Sequence, residues 1–176
     1  MYNLNMKFEP FIISRPGIVS KPILISVPHS GIRFPHEVSV NIKKKFLERP
    51  EDTDWFVHQL YDFCTEMGMI MIMAPLSRYV IDLNRSDNGE LLYSDSRAQS
   101  NLVPTKSFKQ ETLYSSSEPD ENEVSRRIIE YYNPYYNRVD SILSDLENKF
   151  GHSLLFDCHS IARNVPSIQK EDFPDM

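Results

Sequence analysis

The chain is predicted to fold as a three-layer α/β/α domain, and three observations predict it. Two continuous apolar runs, Ile23-Leu24-Ile25-Ser26-Val27 and Met69-Ile70-Met71-Ile72-Met73-Ala74, have the composition of strands buried on both faces. Between them, Trp55, Val57, Leu60, Tyr61, Phe63 and Cys64 recur at helical spacing, so the order is strand, helix, strand, with a right-handed parallel crossover. A third apolar run, Leu154-Leu155-Phe156, follows another helical stretch and repeats the plan as a final buried strand.

Taken in order, Phe11-Ile12-Ile13 reads as a strand closed by Arg15-Pro16-Gly17. The first central strand, Ile23–Val27, stops at Pro28-His29-Ser30-Gly31. A short helix is expected over 40–47. Glu51-Asp52-Thr53-Asp54 then caps the amphipathic helix, which Gly68 ends as a C′ glycine. Tyr79-Val80-Ile81-Asp82 reads as a short strand left through Leu83-Asn84-Arg85. Residues 86–119 are polar and without lasting periodicity, a loop long enough to imply a functional role, on which Tyr93 and Tyr114 could close over a substrate. Ser117-Glu118-Pro119-Asp120 starts a last long helix, with a kink or restart expected at Pro134 and an end near Gly151.

The 176 residues suit one domain with a respectable core. Lys and Arg number 19 against 25 Asp and Glu, for a net charge of −6 without a basic block, which argues against a nucleic-acid partner. No apolar run reaches bilayer length and no signal pattern opens the chain, so a cytoplasmic protein is expected. Cys64 and Cys158 lack CxxC spacing and read as reduced, buried thiols.

Ligands of open α/β sheets gather outside the carboxyl ends of strands. His29 and His159 both stand there, and two such tips on neighbouring strands could share one metal ion. A hydrolytic zinc site commonly takes two His and one carboxylate, leaving a position for water. The carboxylate could come from Glu51, Asp52 or Asp54, with Asp54 favoured; either aspartate would serve equally as a helix N-cap. Asp82-Leu83-Asn84-Arg85, with Arg78 one helical turn or two strand pairs earlier, offers guanidinium and amide groups suited to a substrate carboxylate, or else a structural Asp82–Arg85 pair. Cys158 and His159 are adjacent in an extended segment and face opposite sides, which excludes a nucleophile–base pair.

These motifs, in this order, closely resemble the N-formylglutamate amidohydrolase family: Val27-Pro28-His29-Ser30-Gly31, Asp52-Thr53-Asp54-Trp55, Ser77-Arg78-Tyr79-Val80-Ile81-Asp82-Leu83-Asn84-Arg85 and Asp157-Cys158-His159-Ser160. Leu102-Val103-Pro104-Thr105 and Tyr132-Asn133-Pro134-Tyr135-Tyr136 fit the same family. The resemblance implies a three-layer α/β/α sandwich with a mostly parallel mixed sheet, as in zinc carboxypeptidases and aspartoacylase. It implies a Zn²⁺-dependent amidase releasing formate from N-formyl-L-glutamate or a related N-acyl amino acid, in a role fitting histidine degradation. His29 and His159 match metal ligands, an acid of the Asp52–Asp54 segment the third, and Asn84-Arg85 the pair that grips the substrate carboxylate. The family usually continues beyond Phe173-Pro174-Asp175-Met176, where its further strands and a glutamate base are expected. Glu51 is the acid here that could replace that base by type. A weakly active or silent homologue that still binds metal or an acidic amino acid is the alternative expectation. An open sheet edge would favour pairing with another chain.

Overall fold

In the computed structural model, which describes residues 9–88, 101–161 and 163, the apolar runs become neighbouring strands. Strand β1 (Ile12–Ser14) lies antiparallel to β3 (Ile70–Met73), β3 lies parallel to β2 (Ile23–Val27), and β2 lies parallel to β4 (Leu154–Asp157). The order across the sheet is β1-β3-β2-β4. The register pairs Val27 with Met73 and Ser26 with Asp157, so β2, β3 and β4 all end at one edge. His29 and His159 each follow their strand by two residues and meet at that edge.

Side chains alternate across the sheet, and each face has its own helical layer. Leu24 and Ile72 pack under α6 (Asn133–Phe150), whose Tyr135, Val139, Ile142 and Leu146 recur at three- and four-residue intervals and form one buried stripe. Ile25, Val27 and Met71 face the other way, against Val57 of α3 (Val57–Leu60) and Cys64 of α4 (Phe63–Glu66). The three layers and the parallel crossover match the expectation. Cys64 and Cys158 are free, buried thiols in this second layer.

The helix expected from 51 to 68 is corrected to two single turns. Phe56 sits in the left-handed region at φ 65°, and Trp55, Phe56, Leu60 and Phe63 are exposed. The cause is tethering at the amino end: the Asp54 N–H donates to His29 O at 3.0 Å, and Ser30 Oγ donates to Asp54 O at 2.8 Å. With Asp54 bound to the tip of β2, a helix cannot start there, and only Val57 and Cys64 reach the sheet. Gly68 does end the segment, at φ 86°, a conformation that costs a glycine little.

Other elements shift likewise. The helix expected over 40–47 is replaced by α1 (His36–Ser39) and α2 (Lys44–Glu48), separated by a bridge from Ile42 to Tyr114. Tyr79-Val80-Ile81-Asp82 is buried as a strand would be but forms turns, because its backbone finds other partners: Arg127 Nη1 donates to Val80 O at 2.9 Å, and Asp82 N to Leu102 O at 2.7 Å. Helix α5 (Glu121–Arg127) begins as expected, with Asp120 Oδ1 accepting from Glu123 N at 2.8 Å. The break expected at Pro134 is a π-helical turn, Ile128–Tyr132, just before α6. Strand β4 forms, yet it is not buried: it lies at the sheet edge and Leu154, Leu155 and Phe156 are 52%, 40% and 46% exposed. Among the described residues, no helix is long and apolar enough to cross a membrane. Tyr93 and the segment Phe173-Pro174-Asp175-Met176 lie outside the described residues.

Candidate active site

At the shared strand edge, His29, Asp54 and His159 converge, each offering one ligand atom, all within 4.8 Å of one another. The two rings stand 4.9 Å apart, centroid to centroid. His29 is 1% exposed and its Nε2 lies 2.8 Å from Asp82 Oδ1. Its Nδ1 is buried without a hydrogen-bond partner among the described residues, 3.8 Å from Asp54 Oδ2. His159 repeats the arrangement: Nδ1 lies 3.1 Å from Asp54 Oδ2 and Nε2 lies 3.0 Å from Asp157 Oδ2. Gly31 lets the tip of β2 lie against residues 74–76, since a Cβ there would stand 2.4 Å from Leu76 O and 2.5 Å from Ala74 O.

A carboxylate only accepts, so His29 Nε2 carries the proton it gives to Asp82, and in the neutral ring Nδ1 keeps its lone pair. Burial pushes the His29 pKa down, and the Arg78 guanidinium adds to that, outweighing Asp82. For Asp82, burial opposes ionisation, but Arg78 and the His29 hydrogen bond overcome it and hold the carboxyl well below the usual range. His159 differs. Hydrogen bonds to Asp157 and Asp54 raise its pKa to about 9, so without a cation both ring nitrogens carry protons. A divalent cation beside Asp54 would displace the Nδ1 proton and leave Nε2–H on Asp157. Two imidazoles, each anchored through Nε2 by a carboxylate and each turning Nδ1 toward one further carboxylate, fit the nitrogen and oxygen donor set that zinc takes.

Of the three acids weighed at 51–54, Asp54 joins the histidines. Asp52 Oδ2 instead accepts from Phe108 N at 2.8 Å, and burial raises its pKa against that bond. Glu51 lies outside the cluster and pairs with Lys109 at 3.0 Å. Arg78 puts its guanidinium on Asp82 at 2.6 Å and against the Phe108 ring, so it braces Asp82. Asn84 and Arg85 follow on the same turn. Asn84 N donates to Asp82 Oδ1 at 3.0 Å, Tyr132 Oη donates to Arg85 O at 2.9 Å, and Tyr136 Oη bonds Leu83 O. Asp82 therefore ties the His29 ring to the turn that carries Asn84 and Arg85.

Sequence reasoning missed three supports. Asp157 and His159 are two apart in an extended segment and share a side, a signal that was available. Tyr132 and Tyr136, four apart on one helical face, were likewise legible as a pair. Nothing local marks Asp82 as the partner of a histidine 53 residues earlier.

Fold and site together define an α/β protein with a His–Asp–His cluster at the carboxyl ends of its strands, beside a turn bearing Asn84 and Arg85. The chain belongs to the N-formylglutamate amidohydrolase family, whose model matches residues 21–176. It is 36% identical over 155 residues to an N-formylglutamate deformylase of Pseudomonas putida and 37% identical to one of Pseudomonas aeruginosa. Each match covers 88% of this chain, which spans 57% of the length of either relative. The crystal structure of N-formylglutamate amidohydrolase from Ralstonia eutropha JMP134 shares the fold at TM-score 0.75 and 22% identity, over 94% of this chain and 62% of that one. The gene product Atu2144 from Agrobacterium tumefaciens shares it at 0.70 and 18%, over 90% and 59%.

Proposed function

We propose that the chain hydrolyses the amide bond of N-formyl-L-glutamate, or of a related N-acyl amino acid, with zinc held by His29, Asp54 and His159. The observation that carries this reading is the buried Nδ1 of His29, unpartnered among the described residues and facing the same Asp54 oxygen that His159 Nδ1 faces. The deformylase names of the Pseudomonas relatives support the substrate class. Zinc bound there would bring a water's pKa to about 7 and polarise the scissile carbonyl.

The chain's own residues supply binding and order. Asp82 holds His29 in the tautomer that offers Nδ1, and Asp157, by keeping the Nε2–H of His159, would leave its Nδ1 to a cation that displaces the proton there. Arg85 takes the substrate's α-carboxylate in a charge-assisted pair and Asn84 adds an amide. The tyrosine contacts to Leu83 O and Arg85 O hold that turn in place while the acyl end lies toward the histidines. A formate-release assay on protein with and without added zinc tests the reading. Release that depends on zinc supports it, and a loaded protein that frees no formate counts against it.

A second reading, a protein that binds metal or an acidic amino acid without turnover, is favoured by Glu51. This candidate base stands outside the cluster and is engaged by Lys109. Loss of a general base costs roughly 10²–10⁴ in rate. Isothermal titration with L-glutamate that reports binding in a protein without turnover would select this reading.

A further inference from the structure

Ser26 is the one polar residue in the run Ile23-Leu24-Ile25-Ser26-Val27, and it is buried. A hydroxyl in such a strand needs a partner, because an unpaired one costs its desolvation. The ladder sets Ser26 beside Asp157 of β4, so the two side chains leave the sheet on the same face. That face is the one α6 covers, and Tyr135 Oη lies 2.9 Å from Ser26 Oγ. Tyr135 is buried too, and burial pushes its phenol pKa up, which keeps the proton on. A carboxylate only accepts, which fixes the order of donors. Burial opposes ionisation of Asp157, but the hydrogen bonds of His159 and Ser26 outweigh it and hold the carboxyl low. Ser26 therefore gives its proton to Asp157 and takes that of Tyr135, while His159 Nε2 reaches Asp157 Oδ2 at 3.0 Å. Tyr135, Ser26, Asp157 and His159 stand in one hydrogen-bonded chain whose far end is sealed in the core. Such chains strengthen as each member polarises the next.

We propose that Tyr135 is a positioning residue for His159, acting through Ser26 and Asp157. Its neighbours Tyr132 and Tyr136 reach the other half of the site, at Arg85 O and Leu83 O. The start of α6 therefore sets both halves: Tyr135 the imidazole at the tip of β4, Tyr132 and Tyr136 the turn that carries Asn84 and Arg85. Two hydroxyls that only satisfied each other would leave His159 untouched, and that difference is measurable. The consequence for zinc rests on the amidase reading, whereas the positioning of the ring does not.

Tyr135→Phe and Ser26→Ala each remove one hydroxyl and keep the rest of the side chain. Proton and nitrogen NMR of the metal-free protein reads His159 Nε2–H, with His29 Nε2–H, held by Asp82, as the internal reference. In each variant the His159 proton should move upfield and exchange with water roughly threefold to tenfold faster, as the loss of one hydrogen bond would give, while the His29 proton stays as it was. Zinc affinity, read by chelator competition, should fall by a similar factor, short of the roughly 10–100-fold expected when a ligand's own carboxylate partner is removed. The double variant should lose no more than the larger single loss, because the two hydroxyls act in series. An unchanged His159 proton in both variants overturns the proposal, and so does an equal change at His29, the mark of general loosening. Losses of zinc affinity that add in the double variant overturn it too. A wild-type protein that takes up no zinc counts against the amidase reading alone, since the His159 proton is read without metal.

Discussion

His29 Nε2 lies 2.8 Å from Asp82 Oδ1, and neither side chain exceeds 1% exposure. The other Asp82 oxygen takes Arg78 at 2.6 Å, so one carboxylate neutralises a buried guanidinium and orients a buried imidazole. Asp82→Asn leaves the Arg78 charge uncompensated. The expected loss of stability is about 3–5 kcal/mol, the usual result of removing one partner of a buried ion pair. Urea unfolding measures it, and an unchanged midpoint would show that Arg78 finds its compensation elsewhere. Zinc affinity, read by chelator competition under conditions where the variant is folded, should fall roughly 10–100-fold.

Metal uptake should release a proton from His159. Its pKa is raised to about 9 from 6.5 by Asp157 and Asp54, whereas that of His29 is lowered. Below about pH 9 zinc would compete with that proton, so affinity should rise roughly tenfold per pH unit toward that value. The sign for the metal-free fold is opposite: a raised folded pKa gives stability fully present below 6.5 and lost as pH rises through about 9. Titration calorimetry in buffers of different ionisation enthalpy counts the proton. Zero protons released between pH 6.5 and 9 would contradict the assignment.

Arg85→Ala should raise KM for N-formyl-L-glutamate by roughly tenfold to a hundredfold, corresponding to about 1.5–3 kcal/mol for hydrogen bonds to a charged group. Arg85→Lys should recover little, because an ammonium cannot reproduce the planar fork. Steady-state kinetics separate this from an effect on kcat. Equal KM for wild type and Arg85→Ala would remove Arg85 from substrate binding.

Gly31→Ala should destabilise the fold by about 1–3 kcal/mol or more, as overpacking does when its neighbours are backbone. The added Cβ would meet Leu76 O and the Pro75 carbonyl carbon at 2.4 Å, and neither can swing aside. Thermal unfolding reads the change. An unaltered transition would mean that the loop after β2 has more room than its contacts indicate.

The legible parts of the molecule were those whose physics is local. Ile23–Val27 and Ile70–Met73 are buried on both faces, and composition alone marks such strands. The strand tips carrying His29 and His159 followed from the turn and polar residues after each run. The helix over 51–68 was misread because periodicity cannot register a bond from Asp54 N to the carbonyl of His29, 25 residues away. Tyr79-Val80-Ile81-Asp82 reads as a strand in the sequence and is none: it is buried, but Arg127 and Leu102 satisfy its backbone from distant parts of the chain. Glu51 and Asp54 are equivalent by residue type; only the fold separates the acid held by Lys109 from the acid between two imidazoles.

X-ray absorption on zinc-loaded protein, with zinc stoichiometry measured in parallel, is the most direct test of the cluster. One zinc per chain with two imidazole ligands, lost in His29→Ala and in His159→Ala, is the expected result. Zinc bound with equal stoichiometry in both variants, or not bound at all, would contradict it.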